Sequence, residues 1–180
     1  VLEFLHANRS EGATSEAIDA AASNGHLPVV RWLTTNMPNL VGTTKAMDGA
    51  ACAGHLEVVK YLHEFRSEGC TTEAMDLAAR RGHLEIVKFL HKSRHEGCTT
   101  AAMNNAASGG HTAVLEYLAS NLDEGCTEYA MIMSAWHGHL DIVKWLHNNR
   151  AEGCTTSAMN GAAYNGHLEV VKWLNANRSE

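Results

Sequence analysis

The chain has 180 residues, 45% of them hydrophobic, and a formal net charge of −6 at pH 7. That apolar content suffices for one well-buried domain or a repeat array. No run of eighteen apolar residues occurs, so no segment is expected to span a membrane. Lys and Arg are scattered rather than gathered in a basic stripe, which leaves no electrostatic footprint for nucleic acid.

The opening stretch, "VLEFLHANRS", lacks a charged leader and a small-residue cleavage site, so it does not read as a signal peptide. Val1 to His6 aligns with Ile142 to His147, which predicts part of a second helix over residues 1–8. Six helix pairs are then expected, each with a Gly-His turn: Gly25, Gly54, Gly82, Gly110, Gly138 and Gly166. The spacing is 29 residues once and then 28 four times. The extra residue falls in "NMPNLVGTT" (Asn36 to Thr44), the connection into the second pair. Repetition at such a period signals a solenoid.

The third unit, "TTEAMDLAARRGHLEIVKFLHKSRHEGC" (Thr71 to Cys98), shows the physics. At about 100° per residue, Leu84, Ile86, Val87, Phe89 and Leu90 fill a broad apolar arc, leaving Glu85, Lys88 and His91 opposite. An arc that wide is buried on more than one side. In the first half Ala74, Met75, Ala78 and Ala79 form a stripe of small residues suited to close helix packing. Thr71, with Thr14, Thr43, Thr99, Thr127 and Thr155 at the same place, is the expected N-cap. Gly82 fits the left-handed position that ends a helix, and His83 opens the next. One such pair cannot bury its apolar face alone, so the pattern repeats because each unit must present the same face to its neighbour.

Phe4, Trp32, Tyr61, Phe89, Tyr117, Trp145 and Trp173 occupy one second-helix column and are expected in the core. Phe65, Tyr129, Trp136 and Tyr164 fall outside it. Most exceptions gather in the fifth unit, "EYAMIMSAWHG" (Glu128 to Gly138). There Met131, Ser134 and Ala135 point to the core as their equivalents do. Tyr129, Ile132, Met133 and Trp136 share the opposite side, where the second unit has Lys45, Asp48, Gly49 and Cys52. Tyr164 stands in the column of Trp136 one unit later, and Arg80 holds it in the third unit.

"DLAARRGHLEIVKFL" (Asp76 to Leu90) resembles the ankyrin repeat, with its Ala-Ala, Gly-His-Leu and apolar second-helix pattern recurring in register over the whole chain. The usual ankyrin period is about 33 residues, so these units are shorter. The missing residues fall where ankyrin units place a β-turn or hairpin finger; here stretches like "KSRHEGC" (Lys92 to Cys98) connect the pairs. The Thr-Pro-Leu-His signature is replaced by "EAMD" (Glu73 to Asp76). The resemblance implies an all-α helix-turn-helix solenoid, a single array over residues 1–180 with shortened inter-repeat loops. Tetratricopeptide or HEAT-type stacking is the runner-up, disfavoured by the Gly-His turn and short helices. Neither end shows a polar capping unit, so a slice of a longer array is expected.

In ankyrin-like arrays the outer side of the first helix lines a concave surface. The resemblance therefore implies that Tyr129, Ile132, Met133, Trp136 and Tyr164, with Leu77 and Arg80 further along, face a protein or peptide partner. Aromatic and Arg side chains are enriched in interface hot spots. A structural spacer between other domains is the alternative.

Chemistry of other kinds finds little support. Ten of the twelve histidines fall in two repeated columns (His26, His55, His83, His111, His139 and His167; His6, His63, His91 and His147). Copies one stacking distance apart are too far to share an ion held at about 2 Å, so no metal and no cofactor are expected. Buried neutral turn histidines would make stability fall below about pH 6.5. Cys70, Cys98, Cys126 and Cys154 recur every 28 residues. Stacked neighbours roughly 8–10 Å apart exceed the roughly 7 Å reach of a disulfide. They are expected as free thiols in a reducing, intracellular setting. Cys52 stands apart as a candidate exposed thiol, and none has the oriented base a nucleophile needs. No Gly-rich phosphate loop or paired-carboxylate motif occurs, and the chain is not expected to be an enzyme.

Overall fold

Twelve helices of eight to ten residues make up the regular structure of residues 13–151 and 156–177, the part of the chain that the computed structural model describes. No strand occurs among the described residues. The helices divide between two compact units, Val1–Thr71 and Thr72–Glu180. The first holds α1 (Ser15–Ser23), α2 (Leu27–Asn36), α3 (Thr44–Ala53) and α4 (Leu56–Phe65). The second holds α5 (Glu73–Arg80), α6 (Leu84–Ser93), α7 (Thr100–Ser108), α8 (Thr112–Asn121), α9 (Glu128–Trp136), α10 (Leu140–Asn149), α11 (Thr156–Tyr164) and α12 (Leu168–Asn177). Odd-numbered helices open each pair and even-numbered helices close it. The fold is an all-helical solenoid of helix-turn-helix repeats. The helix expected over residues 1–8 lies outside the described residues.

Small side chains decide which helices meet. The buried stripe of α5 is Ala74, Met75, Ala78 and Ala79, and that of α7 is Ala102, Met103, Ala106 and Ala107. Methyl groups keep the backbones close, so α5 packs on α7, α7 on α9 and α9 on α11 far more intimately than second helices pack on each other. In the first unit α1 packs on α3 in the same way. The second helices fill the space beneath with larger groups: Val58, Val59 and Leu62 in α4; Ile86, Val87 and Leu90 in α6; Ile142, Val143 and Leu146 in α10.

The Gly-His turn closes each first helix and locks it to its neighbour. At the end of α5, the Gly82 N–H bonds the Ala79 carbonyl at 3.2 Å and the His83 N–H reaches back to Ala78 at 3.0 Å. This wrap needs a left-handed residue, and Gly82 supplies it with φ +77°. A second constraint falls on the same position, since the His ring of the following unit lies against the glycine. A Cβ on Gly110 would come within 2.8 Å of the His139 ring. The His139 Nε2 meets the Ser108 carbonyl at 3.2 Å, and the His111 Nε2 meets that of Arg80 at 3.1 Å. Each histidine thus ties its own turn to the end of the preceding first helix. Turn histidines are nevertheless half-buried, and His26 is exposed, because the rings run along the rim rather than into the core.

A second tie joins the first helices. The carboxylate of Asp76 in α5 accepts the Thr99 N–H at 2.9 Å and the Thr99 hydroxyl at 2.7 Å. Thr99 in turn caps α7 by accepting the Ala101 N–H at 3.0 Å. Asp19 holds Thr43 in this way, and Asp48 holds Thr71. Between α7 and α9 an amide replaces the carboxylate. Asn104 Oδ1 accepts from the Thr127 backbone at 3.0 Å, and its Nδ2 donates to the Thr127 hydroxyl at 3.1 Å.

Three expectations change in detail. Thr43, Thr99 and Thr127 cap their helices, but α5 starts after Thr72, and Thr71 serves the bond to Asp48 instead. Thr14 makes no side-chain cap bond, and Thr155 lies outside the described residues. The aromatic column of the second helices is half-buried rather than core, because Val, Ile and Leu fill the inner face. Its rings instead cover the seam between successive second helices. The Tyr117 hydroxyl sits 2.9 Å from His91 Nδ1, and His147 meets Trp173 edge-on at 5.1 Å.

The connecting loops are short and carry their own bonds. Arg66 pairs with Glu68, donates to the Leu40 carbonyl at 2.9 Å, and Glu68 accepts the Gly42 N–H at 2.9 Å. Burial pushes the Glu68 carboxyl up, but the Arg66 bond and the N–H donors outweigh it and hold it below the usual range. Arg94 and Glu96 repeat the pair in the next loop.

The tie between first helices works through hydrogen bonds rather than net charge, as Asn104 shows. Asp76→Asn is therefore expected to keep stability within about 0.5 kcal/mol, whereas Asp76→Ala loses about 1–3 kcal/mol by orphaning the Thr99 donors; denaturant titration distinguishes the two. One turn histidine, His139, sets a pH limit. Burial pushes the His139 imidazole below its usual value, the Ser108 carbonyl opposes this, and His137, His111 and His167 add to the lowering. The folded chain prefers neutral His139, so the unfolded chain takes up the proton first. Stability is then full above the unfolded value of about 6.5 and falls as pH drops from there through the lower folded value. Urea midpoints should decrease from pH 7.5 to 5, and less so in His139→Asn; superimposable midpoints across that range would remove this role.

Candidate functional site

The fifth unit keeps the stacking rules on one side of α9 and breaks them on the other. Thr127 caps the helix by accepting the Tyr129 N–H at 3.3 Å. Ala130, Met131, Ser134 and Ala135 are buried, and the Ser134 hydroxyl is satisfied by the Met131 carbonyl at 3.0 Å. On the outer side Tyr129 is 49% exposed and Trp136 39%, with Ile132 and Met133 half-buried between them. Tyr164, at the end of α11, is 81% exposed.

The structure brings Trp136 and Tyr164 together. Their rings stack with centroids 5.5 Å apart at an interplanar angle of 27°. Gly161 makes room for the indole: a Cβ there would lie 2.9 Å from Trp136 Cε3. Trp136 is thus a half-covered platform, backed by Gly161 and flanked by Tyr164, with its remaining surface open to solvent. Beyond it, the exposed His137 bonds the Met133 carbonyl through Nδ1 at 2.9 Å and lies 6.0 Å, ring to ring, from His139.

Leu77 and Arg80 are not part of this patch. They occupy the same columns two repeats earlier, on α5, with Leu77 half-buried and Arg80 exposed. Arg81, also exposed, lies beside Arg80 and is not singled out by the repeat pattern, because its column holds Gly109 and His137 in later units. The pattern puts Ile132 in the column of Asp19, Asp48, Asp76 and Asn104 but does not reveal what that column does. Those side chains tie each first helix to the next threonine, and Ile132 has no atom that can.

Elsewhere the chemistry is spare. Among the described residues no three His, Cys, Asp or Glu side chains form a group that could hold a metal ion. Cys52, Cys70, Cys98 and Cys126 are free thiols; Cys70 and Cys126 are buried, and Cys52 is half-buried rather than exposed. Cys98 lines a small pocket with Thr99, Ala102, Met103, Leu118 and Leu122. Burial, with Glu124 and Asp76 nearby, pushes its thiol up to about 12, so it is not a thiolate at neutral pH. Phe65 is exposed on α4, tilted against Tyr61 with centroids 4.7 Å apart. No helix among the described residues is long and apolar enough to cross a membrane.

The sequence matches a family model described as ankyrin repeats (3 copies) over three overlapping ranges, residues 18–99, 75–156 and 103–180. No curated protein matches it. Among solved structures, the human ASB11 ankyrin repeat domain is similar with a TM-score of 0.66 and 19% identity, over 96% of this chain and 85% of that one. The ankyrin repeat domain of Bcl-3, described as a member of the IkappaB protein family, gives 0.61 and 18%, over 95% and 89%. A chain from the complex of the predatory endopeptidase Bd0816 of Bdellovibrio bacteriovorus with the immunity protein Bd3460 gives 0.61 and 20%, over 92% and 100%.

The exposures separate the two rings. Tyr164→Ser is expected to stay within about 0.5 kcal/mol of the parent. Trp136→Ser should cost about 1–2 kcal/mol, the scale of a lost aromatic pair with partial burial. A loss of about 3–5 kcal/mol in thermal or chemical unfolding would instead mark Trp136 as core.

Proposed function

The chain belongs to the ankyrin-repeat family, and on that premise we propose that it is a non-catalytic scaffold that binds a protein partner on the concave side of its first helices. Tyr129, Ile132, Met133, Trp136 and Tyr164 form the main contact, with Leu77 and Arg80 further along the same side. One observation carries the reading: a stacked, solvent-facing Trp136–Tyr164 pair occupies the column that holds Ser23, Cys52, Arg80 and Ser108 in other units. The stack needs none of these rings, since units without them form the same helix pairs. Exposed aromatic groups clustered beside half-buried apolar ones are the usual make-up of an interface hot spot. One structural neighbour comes from a complex of an endopeptidase with an immunity protein, which supports partner binding as a use of this architecture. The elevated Cys98 thiol argues against thiolate catalysis, and the free cysteines suit a reducing compartment.

The alternative, a spacer between other domains, gives this patch no partner of its own. A pull-down with the 180-residue chain, followed by the same experiment with the Trp136→Ser/Tyr164→Ser variant, separates the two. A direct partner should be lost, by about tenfold or more in affinity, from a variant that still melts cooperatively. Undiminished binding would refute the assigned face and favour the spacer.

A further inference from the structure

On the first-helix side of the second unit the positive charge is confined to one end. Arg80 and Arg81 close α5 next to each other, both exposed, and neither guanidinium enters a salt bridge among the described residues. They stand out in a chain whose net charge is −6. Two repeats on, in the column of Arg80, lie Trp136 and then Tyr164. Across α7, α9 and α11 the single formal charge is the carboxylate of Glu128, in the first turn of α9, while α5 carries Glu73 and Asp76 in its own first turn, at the far end of the helix from the arginines. The cations of this side thus lie at the arginine end of the row, which is where a ligand carboxylate is drawn.

Resting on the reading of this side as the binding face, we infer that the partner segment is an extended peptide with two chemically distinct halves. An Asp or Glu pair sits over Arg80 and Arg81, and a large apolar side chain packs on the Trp136–Tyr164 platform. Two stacking steps of roughly 8–10 Å separate the two points. An extended chain rises about 3.3 Å per residue, so five or six residues bridge them. Arginine suits the first half because its planar fork holds a carboxylate through two parallel hydrogen bonds. The half-covered indole suits the second because it offers a fixed apolar ledge at little conformational cost. The polarity of the row fixes the direction in which the segment lies.

The test is selection from a displayed library of random peptides on the full chain, with enriched peptides then synthesised and titrated by fluorescence anisotropy. Enriched sequences should carry an acidic pair about five or six residues from a Leu, Phe or Trp. Arg80→Glu/Arg81→Glu should weaken them by about tenfold or more, and Arg80→Gln/Arg81→Gln should flatten the salt dependence of binding. Tyr164→Ser, at an exposed position that leaves the fold intact, should weaken them as well. Peptides that depend on Tyr164 but show no acidic bias and ignore the arginine variants would overturn this inference while sparing the binding face. Peptides indifferent to both Tyr164 and the arginines, or the absence of any enriched peptide, would overturn the inference and the face together.

Discussion

A helix of nine residues in water is a poor structure by itself, because the cost of its first turn is not recovered over so short a length. What makes twelve of them hold here is the closeness of the first helices, row upon row of alanine methyls. Larger side chains at Ala78, Ala79, Ala106 or Ala107 would part the backbones and leave the second helices with a gap to fill. Every other device in the chain refines that contact. The glycine turn brings the second helix back under the first, and the histidine behind it fixes how far each turn lies from the last.

The Asp–Thr tie shows how the stack is aligned as well as glued. An apolar contact between alanine surfaces is smooth and tolerates sliding. A carboxylate that grips a backbone N–H and a hydroxyl on one residue does not. Register along the stack is therefore set by polar groups at the edge, while cohesion comes from the apolar groups inside. Ile132 interrupts this arrangement where the apolar patch is richest. Its presence fits a site where a local stability rule is set aside for surface chemistry.

Much of the fold could be read from the chain itself because the information is written six times. The Gly-His turns, the alanine stripe and the Thr caps all declare themselves by recurring at the same interval. What resisted reading were properties of the space between repeats. A helical wheel shows that Phe89 and Tyr117 are apolar positions, but only three-dimensional packing shows that they close a seam rather than fill a core. The wheel likewise placed Trp136 on the outer side, and could not foresee that Gly161 would let the indole lie down against the next helix. The role of Asp76 was legible in principle, since Asp19, Asp48 and Asn104 share its column. It is hidden because its partner, Thr99, lies in another unit and also caps α7.

The two halves of the tie also bear on how such a chain changes over time. A unit carries the acceptor on its first helix and the matching threonine at its start, so it offers its successor the same fitting that it takes from its predecessor. Units built this way are interchangeable parts, and copying or deleting a whole one leaves no mismatched joint. The unit containing Ile132 is the exception, because an isoleucine side chain has no acceptor to offer. Shuffling the order of the others is cheap, while moving that one displaces the exposed aromatic cluster and the one first helix from α1 to α9 whose column residue is apolar.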